Sequence, residues 1–244
     1  MAAPFLPAGT VEPPPDKRSY VRQIFSDIAP RYDLLNRLLS LNVDRSWRRR
    51  AVARLGWRDR PTGVFLDACA GTLDLAVTLA GQRGFCGRVV ATDFAPRMLR
   101  YGAGKPHAED ILTVAADTLE LPAADATFDG AMVGFGVRNL AGLDLGLREL
   151  ARVLKPGGRL VVLDFTTPPF APLRALYLFY FRRVLPLVGR LVSGHPTAYT
   201  YLPESVLDFP PPDALEERMR GAGLRDCGHE LLTGGIAAVT WGVR

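Results

Sequence analysis

The sequence predicts an α/β fold of the doubly wound class, with a mostly parallel sheet of seven strands, and three observations carry that expectation. Short continuous apolar runs alternate with helical stretches from Gly63 onward, the pattern of a parallel sheet covered on both faces. The turn after the first run holds a single glycine, Gly71, which permits close approach of the backbone to a ligand. An aspartate stands at the end of each of three successive runs: Asp67, Asp93 and Asp117.

The elements follow in order. Residues 1–18 are rich in proline and read as an extended, disordered tail, with neither the basic start nor the apolar centre of a secretory signal. From Ser19 the residues Tyr20, Ile24, Phe25 and Ile28 share a helical face. Pro30 interrupts that face, RYDLLNRLLSL resumes it, and a basic helix DRSWRRRAVARL follows with Asp44 as its N-cap. Residues 19–60 are thus expected to form two helices that cover the main fold. VFLDA, RVVATDF, ILTVAAD, FDGAMVGFG and RLVVLDF are the five strands that follow, separated by helices at LDLAVTLAGQ, PRMLRYGAG and LDLGLRELARVL. Gly157 and Gly158 are read as the stop of the last of these helices. Residues 170–205 form an insertion, PDALEERMRGAGL a late helix, and Cys227–Leu232 with the terminal GGIAAVTWGVR an antiparallel pair. Residues 19–244 therefore read as one domain, a size that buries a core without a disulfide or metal.

Composition narrows the function classes. Three scattered cysteines and three distant histidines offer no disulfide framework and no metal-ligand spacing. No apolar run is long enough to span a bilayer, so a cytoplasmic chain is expected. A net charge of +5, with only three lysines among 30 basic residues, admits nucleic acid, an anionic membrane or an acidic ligand as partner.

In sheets of this class ligands bind beyond the carboxyl ends of the strands. After the first strand come Asp67, Gly71 and Thr72, with Thr72 placed to meet an anionic group at a helix N-terminus. Asp93 can accept two hydrogen bonds from a ribose diol, and Asp117-Thr118 can meet an adenine edge. Three carboxylates favour a sulfonium ligand that also carries an ammonium, and would repel a pyrophosphate. The dinucleotide pattern G-x-G-x-x-G is absent, since AGTLDL supplies only Gly71. An ordinary N-capping role is the competing account of any single strand-end aspartate.

At these positions the chain resembles the class I S-adenosyl-L-methionine-dependent methyltransferases. More closely, it resembles the family that C-methylates the quinol ring in menaquinone and ubiquinone biosynthesis. Tyr32-Asp33-Leu-Leu-Asn36, continuing to Ser40 and Trp47, is similar to that family's Y-D-x-M-N … S … W pattern. Gly134-Phe-Gly-Val-Arg138-Asn139 is similar to its F-G-x-R-N, and Arg152-Val-Leu-Lys-Pro-Gly-Gly158 with Asp164-Phe-Thr166 to a later stretch. Ala198-Tyr199-Thr-Tyr201-Leu-Pro-Glu204-Ser205 is similar to its A-Y-x-Y-L-x-x-S segment.

The resemblance implies S-adenosyl-L-methionine as cofactor, with contacts at Thr72, Asp93, Asp117, Thr118 and Gly134, and Asp67 facing the methionine ammonium. It implies a substrate side formed by Tyr32, Asn36, Arg138, Asn139 and Tyr201. The implied reaction is methyl transfer to a ring carbon of a prenylated quinol, demethylmenaquinol ahead of a ubiquinone-pathway benzoquinol. Arg138 would stabilise the phenolate, Asn139 would bond a ring oxygen, and Tyr32 or Tyr201 would orient the ring. The apolar, arginine-dotted stretch LRALYLFYFRRVLPLVGRLV suits the prenyl tail or peripheral contact with an anionic membrane.

The chain departs from the pattern in places. Leu73 stands where a glycine is usual, Ala70 replaces a second glycine, and Gly134 replaces a serine. Asp44, Asp164, Thr166 and His195-Pro196 are further differences. Leu73 is expected to crowd the methionine moiety. Two other functions are weighed beside this one. A nucleic-acid methyltransferase would use Arg45 to Arg50 against phosphates, but GFGVRN replaces the loop that amine methylation needs, so no nucleic acid is expected. A non-catalytic scaffold would have lost turnover through Leu73.

Overall fold

The computed structural model of the chain describes residues 17–40, 42–184 and 205–244. Seven strands form one sheet: β1 (Val64–Ala68), β2 (Arg88–Asp93), β3 (Ile111–Ala115), β4 (Phe128–Gly134), β5 (Leu154–Phe165), β6 (Arg225–Leu232) and β7 (Ala237–Val243). Their spatial order is β3-β2-β1-β4-β5-β7-β6, with β7 antiparallel to both its neighbours. The doubly wound expectation holds, including the antiparallel last pair. The order reverses at β1 and β4, which pair in parallel. That reversal opens the crevice in which such sheets bind ligands.

Alternation along β1 shows why the strands carry apolar residues on both faces. Phe65 belongs to one buried cluster and Leu66 and Ala68 to another. Helices α3 (Asp44–Arg54), α4 (Asp74–Ala80) and α5 (Pro96–Gly102) cover the first face through Trp47, Val52, Leu55, Leu75, Leu79 and Leu99. Helix α6 (Leu143–Val153) and the late helix α8 (Pro212–Gly221) cover the second through Leu147, Leu150, Leu215 and Met219. Helix α7 spans Ala171–Phe179 and continues as one π-turn over Tyr180–Val184.

Four local readings change. The N-terminal layer is three helices and not two: α1 (Lys17–Ile28), α2 (Tyr32–Ser40) and α3. Pro30 sits in a short 3-10 turn, Ala29–Arg31, that separates α1 from α2, as its missing N–H and fixed φ require. Lys17 and Arg18, placed in the tail by the sequence, are already helical. Asp44 does not cap α3 from outside. It lies inside the first turn, and its carboxylate accepts from Ser40 Oγ at 2.7 Å and pairs with Arg48. Gly157 and Gly158 do not stop α6, which ends at Val153. They lie within β5, at an irregularity where Leu154 pairs with Phe128 and the next paired residue is Arg159 with Gly130. Pro156 has no N–H for the ladder and Gly157 takes φ +74°, so Lys-Pro-Gly-Gly makes a bulge rather than a cap.

Candidate active site

The carboxyl ends of β1, β2 and β4 border a solvent-open cleft with about 620 Å³ of empty space, lined by Gly71, Asp93, Asp117, Thr118, Gly134 and Asn139, among others. Helices α1 and α2 flank it with Arg18, Phe25 and Tyr32. A second cavity of about 330 Å³ joins at Tyr32, Gly71, Gly134 and Phe135 and adds Arg48, Asp67, Thr72 and Asp74.

Asp67 is 1% exposed. Its Oδ2 accepts the Ala76 N–H at 2.9 Å, the capping bond expected of a strand-end aspartate. Its Oδ1 is buried with no partner. Burial, reinforced by Asp93 and Asp74, pushes the carboxyl up to about 8. Asp93 accepts the Gly71 N–H and the Ala95 N–H, each at 2.8 Å. Burial raises it to about 6 against the pull of those two amides. Asp117 is more committed than its position implies: Oδ1 accepts the Leu119 N–H at 2.9 Å, and Oδ2 pairs with Arg18 Nε at 2.6 Å. Thr118 is buried, with Oγ1 at 3.3 Å from Cys69 Sγ.

Thr72 does not offer a free hydroxyl. Its Oγ1 donates to Asp33 Oδ1 at 2.5 Å and accepts from Lys105 Nζ at 3.0 Å. Lys105 also pairs with Asp33 and Asp74, and Asp74 pairs with Arg48 at 2.9 Å. This ion network ties α2 and α3 to the β1–α4 loop. Lys105, Asp33, Asp74 and Arg48 were not legible as site residues, because their partners lie far apart in the chain.

On the substrate side, the Tyr32 phenol is enclosed and hydrogen-bonded by Asn36, and burial raises its pKa while Arg138 and Arg48 draw it down. Phe135 stacks on Phe165 with ring centroids 4.7 Å apart. The Arg138 guanidinium lies 5.4 Å from the centre of the Phe165 ring. Arg138 is buried, and Nη1 donates to the Phe135 carbonyl at 2.7 Å and to Asp164 Oδ1 at 2.5 Å. Asn139 Nδ2 donates to the same carbonyl at 3.2 Å. Tyr201 and Tyr199 lie outside the described residues. Asp164 stands at the end of β5, a position that the strand-end argument reaches but that the sequence reading noted only as a difference.

A Cβ at Gly134, where the resemblance puts a serine, would lie 2.7 Å from Leu75 Cδ1, so the end of that leucine side chain would have to shift. Leu73 behaves differently from expectation. Its backbone is left-handed, φ +67° and ψ 18°, the conformation that favours glycine. Its side chain, however, is fully buried and packs in the core beside Gly102, where a Cβ would lie 2.5 Å from Leu73 Cγ. Leu73 lines neither cavity. The Leu73 side chain thus packs away from the cavities in which the sequence suggested that it would crowd a methionine moiety. Replacing Leu73 by glycine relieves about 1–2 kcal/mol of left-handed strain but forfeits a buried leucine, usually worth about 2–5 kcal/mol. The expected outcome is a net loss of stability in denaturant titration with cofactor affinity unchanged.

The basic helix is not a bare phosphate patch. Arg48 is buried in the network above, and Arg50 and Arg54 both pair with Glu230 at 2.8 Å. Away from the site, the ligand atoms of Asp213, Glu216 and His229 lie within 4.8 Å of one another. Glu216 already bonds His229 at 2.6 Å and Arg220 at 2.6 Å.

The residues fit a ligand with an ammonium and a ribose. Asp67 presents an unpartnered buried acceptor into the cleft beside Gly71, Asp93 stands at its rim, and Gly134 leaves space where a side chain would intrude. Solved structures share the fold. An S-adenosylmethionine-dependent methyltransferase of Thermotoga maritima superposes with a TM-score of 0.64 at 19% identity, over 91% of this chain and 98% of that one. A phosphoethanolamine N-methyltransferase of Haemonchus contortus in complex with S-adenosyl-L-methionine has a TM-score of 0.56 at 14% identity, over 79% and 52%.

Sequence relatives are nearer. The chain is 49% identical to the demethylmenaquinone methyltransferase of Thermus thermophilus, over 91% of this chain and 100% of that protein. It is 47% identical to that of Deinococcus radiodurans, over 92% of each. With the ubiquinone/menaquinone biosynthesis C-methyltransferase UbiE of Geobacter sulfurreducens it shares 44%, over 93% and 89%. The model of the ubiE/COQ5 methyltransferase family matches residues 15–244. With the strand-end carboxylates, the doubly wound sheet and matches spanning nearly its whole length, the chain belongs to the ubiE/COQ5 methyltransferase family.

Proposed function

We propose that this enzyme, an S-adenosyl-L-methionine-dependent C-methyltransferase, methylates the ring of a prenylated quinol, demethylmenaquinol in preference to a benzoquinol. The observation that supports this best is the adjacency of two chemistries. The cavity lined by Asp67, whose Oδ1 has no partner, is walled by Phe135, which packs on Phe165 under the Arg138 guanidinium. An aromatic ring placed against Phe135 would share that cavity with the cofactor, with Arg138 behind the wall on Phe165. The names of the relatives from Thermus and Deinococcus point to the naphthoquinol.

S-adenosyl-L-methionine, when bound, supplies a methyl group on a positively charged sulfur, which leaves as a neutral thioether. Asp67 would hold its ammonium and Asp93 its ribose diol, with Gly71 and Gly134 keeping the backbone close. Asp117 and Thr118 would border the adenine, Asp117 through whatever Arg18 leaves open. The nucleophile is the substrate's own ring carbon, ortho to an oxygen and strongest when that oxygen is ionised. Arg138 would stabilise the phenolate, Asn139 would bond a ring oxygen, and Tyr32, with Tyr201, would orient the ring. Holding the carbon in line with the methyl group supplies much of the rate through pre-paid orientation. A competition assay with equal amounts of demethylated naphthoquinol and benzoquinol, kept reduced, tests the choice of acceptor. Faster methylation of the naphthoquinol supports the preference, and faster methylation of the benzoquinol reverses it.

The prenyl tail accounts for α7. No described helix is long and apolar enough to cross a membrane. Yet Phe170, Leu176 and Phe179 are 60–66% exposed, and Arg174 and Arg183 lie on the same segment. Exposed apolar groups beside cations suit an anionic lipid surface, from which a lipid-like substrate is delivered. Leu176→Ser with Phe179→Ser should lower co-sedimentation with anionic vesicles without changing thermal stability. Unchanged co-sedimentation would remove the membrane role.

A further inference from the structure

Six buried side-chain polar atoms have no hydrogen-bond partner among the described residues, and three of them lie on the ion-paired Arg138 and Asp164 and on Tyr177, which feels both charges: Arg138 Nε, Asp164 Oδ2 and Tyr177 Oη. Buried polar atoms are almost always paired, and each exception asks for an account. The three side chains come from different elements. Arg138 is in the turn after β4, Asp164 at the end of β5 and Tyr177 in α7. The Arg138 and Asp164 side chains are 5% and 3% exposed, and Tyr177 is 5% exposed. Asp164 Oδ1 is fully used, by Arg138 Nη1 at 2.5 Å and by the Phe165 N–H at 2.8 Å. The other oxygen is idle. The charges of Arg138 and Asp164 both act on the Tyr177 phenol.

An aromatic wall connects this group to the cofactor cavity. Phe135, which lines the cavity, stacks on Phe165. Phe165 packs edge-on against Phe181 with centroids 6.1 Å apart, and Phe181 lies 4.3 Å from Tyr177. The unpaired atoms are an N–H donor, a carboxylate acceptor and a hydroxyl. Their complement is one hydroxyl group, which donates once and accepts twice.

We propose that Asp164 Oδ2, Arg138 Nε and Tyr177 Oη receive the substrate hydroxyl ortho to the methylated carbon, and that Asp164 takes its proton. This rests on the quinol reading above. The O–H electron pair stays on the substrate oxygen as phenolate, which accepts from the Arg138 Nε–H and the Tyr177 O–H. The proton is held on Asp164 Oδ2. Once the ring carbon carries the methyl group, its displaced hydrogen leaves as a proton to water and aromaticity returns. The proton on Asp164 then returns to the oxygen, so one proton in all is released. Burial raises the Asp164 carboxyl even against the adjacent guanidinium, which brings it nearer a phenol in basicity. Tyr177, itself raised by burial, stays protonated and donates.

The test uses the full-length enzyme with reduced demethylated quinol. Tyr177→Phe removes a hydroxyl that has no partner among the described residues, so its thermal midpoint should not fall and its cofactor Kd should match wild type. Its kcat should drop by at least about tenfold, the low end of losses for a donor to developing charge. Asp164→Asn should lower kcat by about 10²–10⁴-fold. The remaining rate should climb with pH up to the ionisation of the phenol itself, in place of the wild-type plateau. Asp164→Glu should recover part of the loss. Wild-type kcat in Tyr177→Phe, or an unchanged pH profile in a folded Asp164→Asn, overturns the proposal and makes the site a pocket for structural water. A wild-type enzyme that methylates neither quinol overturns instead the reading on which it rests.

Discussion

Substituting Arg138 by methionine should abolish most turnover and destabilise the protein together. Oxyanion-type donors contribute about 10²–10³ in kcat, and Arg138 is a buried cation 5.4 Å from the centre of the Phe165 ring, which packs behind the cavity-lining Phe135. The stability effect has a separate cause. Asp164 is buried and its used oxygen faces the Arg138 guanidinium. Removing one partner of such a pair typically costs about 3–5 kcal/mol, because the remaining charge is uncompensated. A double substitution, Arg138→Met with Asp164→Leu, removes both charges and should return stability to near wild type while activity stays lost. Urea titration of the three proteins beside turnover checks this. If the single and double variants are equally unstable, the pair is not the source of the effect.

The second large effect is on pH dependence and belongs to Asp67. Its carboxyl is near 8 in the folded apo protein against 3.8 for the free side chain. Between these values the folded chain holds a proton that the unfolded chain has lost. The stability of the apo protein should therefore fall as pH rises from about 4 to 8 and level off above. Asp93, raised to about 6, adds to the lower half of that slope with the same sign. A ligand ammonium reverses the preference, since it favours the ionised carboxylate. Cofactor binding at pH 7 should then release about one proton, seen as a buffer-dependent heat in calorimetry, and affinity should weaken by up to about tenfold per pH unit below 8. Asp67→Asn should flatten the stability slope and lose about 100-fold or more in cofactor affinity, as expected when a buried acceptor for a cation is removed. Affinity independent of pH between 6 and 8 would contradict this placement of the ammonium.

These effects also show what the chain reveals before it folds. Asp67 and Asp93 were legible because the strands end where apolar runs end, and doubly wound sheets put ligands at those ends. The resemblance to the family's F-G-x-R-N, and not this logic, supplied Arg138 and Asn139 after β4. The strand-end logic stopped short at Asp164, although β5 ends there, because the two residues that make it chemically interesting come from other elements. Tyr177 was hidden in an apolar stretch that reads as core or lipid contact. Only the parity of α7 turns it inward while Leu176 and Phe179 face out. Leu73 misled for a different reason. A glycine replacement signals a left-handed backbone, but not the side to which the new side chain points, and here it points into the core against Gly102. The ion network around Lys105 was invisible because Asp33, Thr72 and Asp74 meet it only through tertiary packing.

The most direct test of the account is to incubate the enzyme with S-adenosyl-L-methionine carrying a ¹³C-labelled methyl group and reduced demethylated naphthoquinol, and to locate the label by NMR. The expected product carries a single ¹³C methyl on a ring carbon ortho to an oxygen, with the corresponding ring C–H signal lost. A methyl ether on oxygen, or no transfer while the cofactor is bound, would contradict the account.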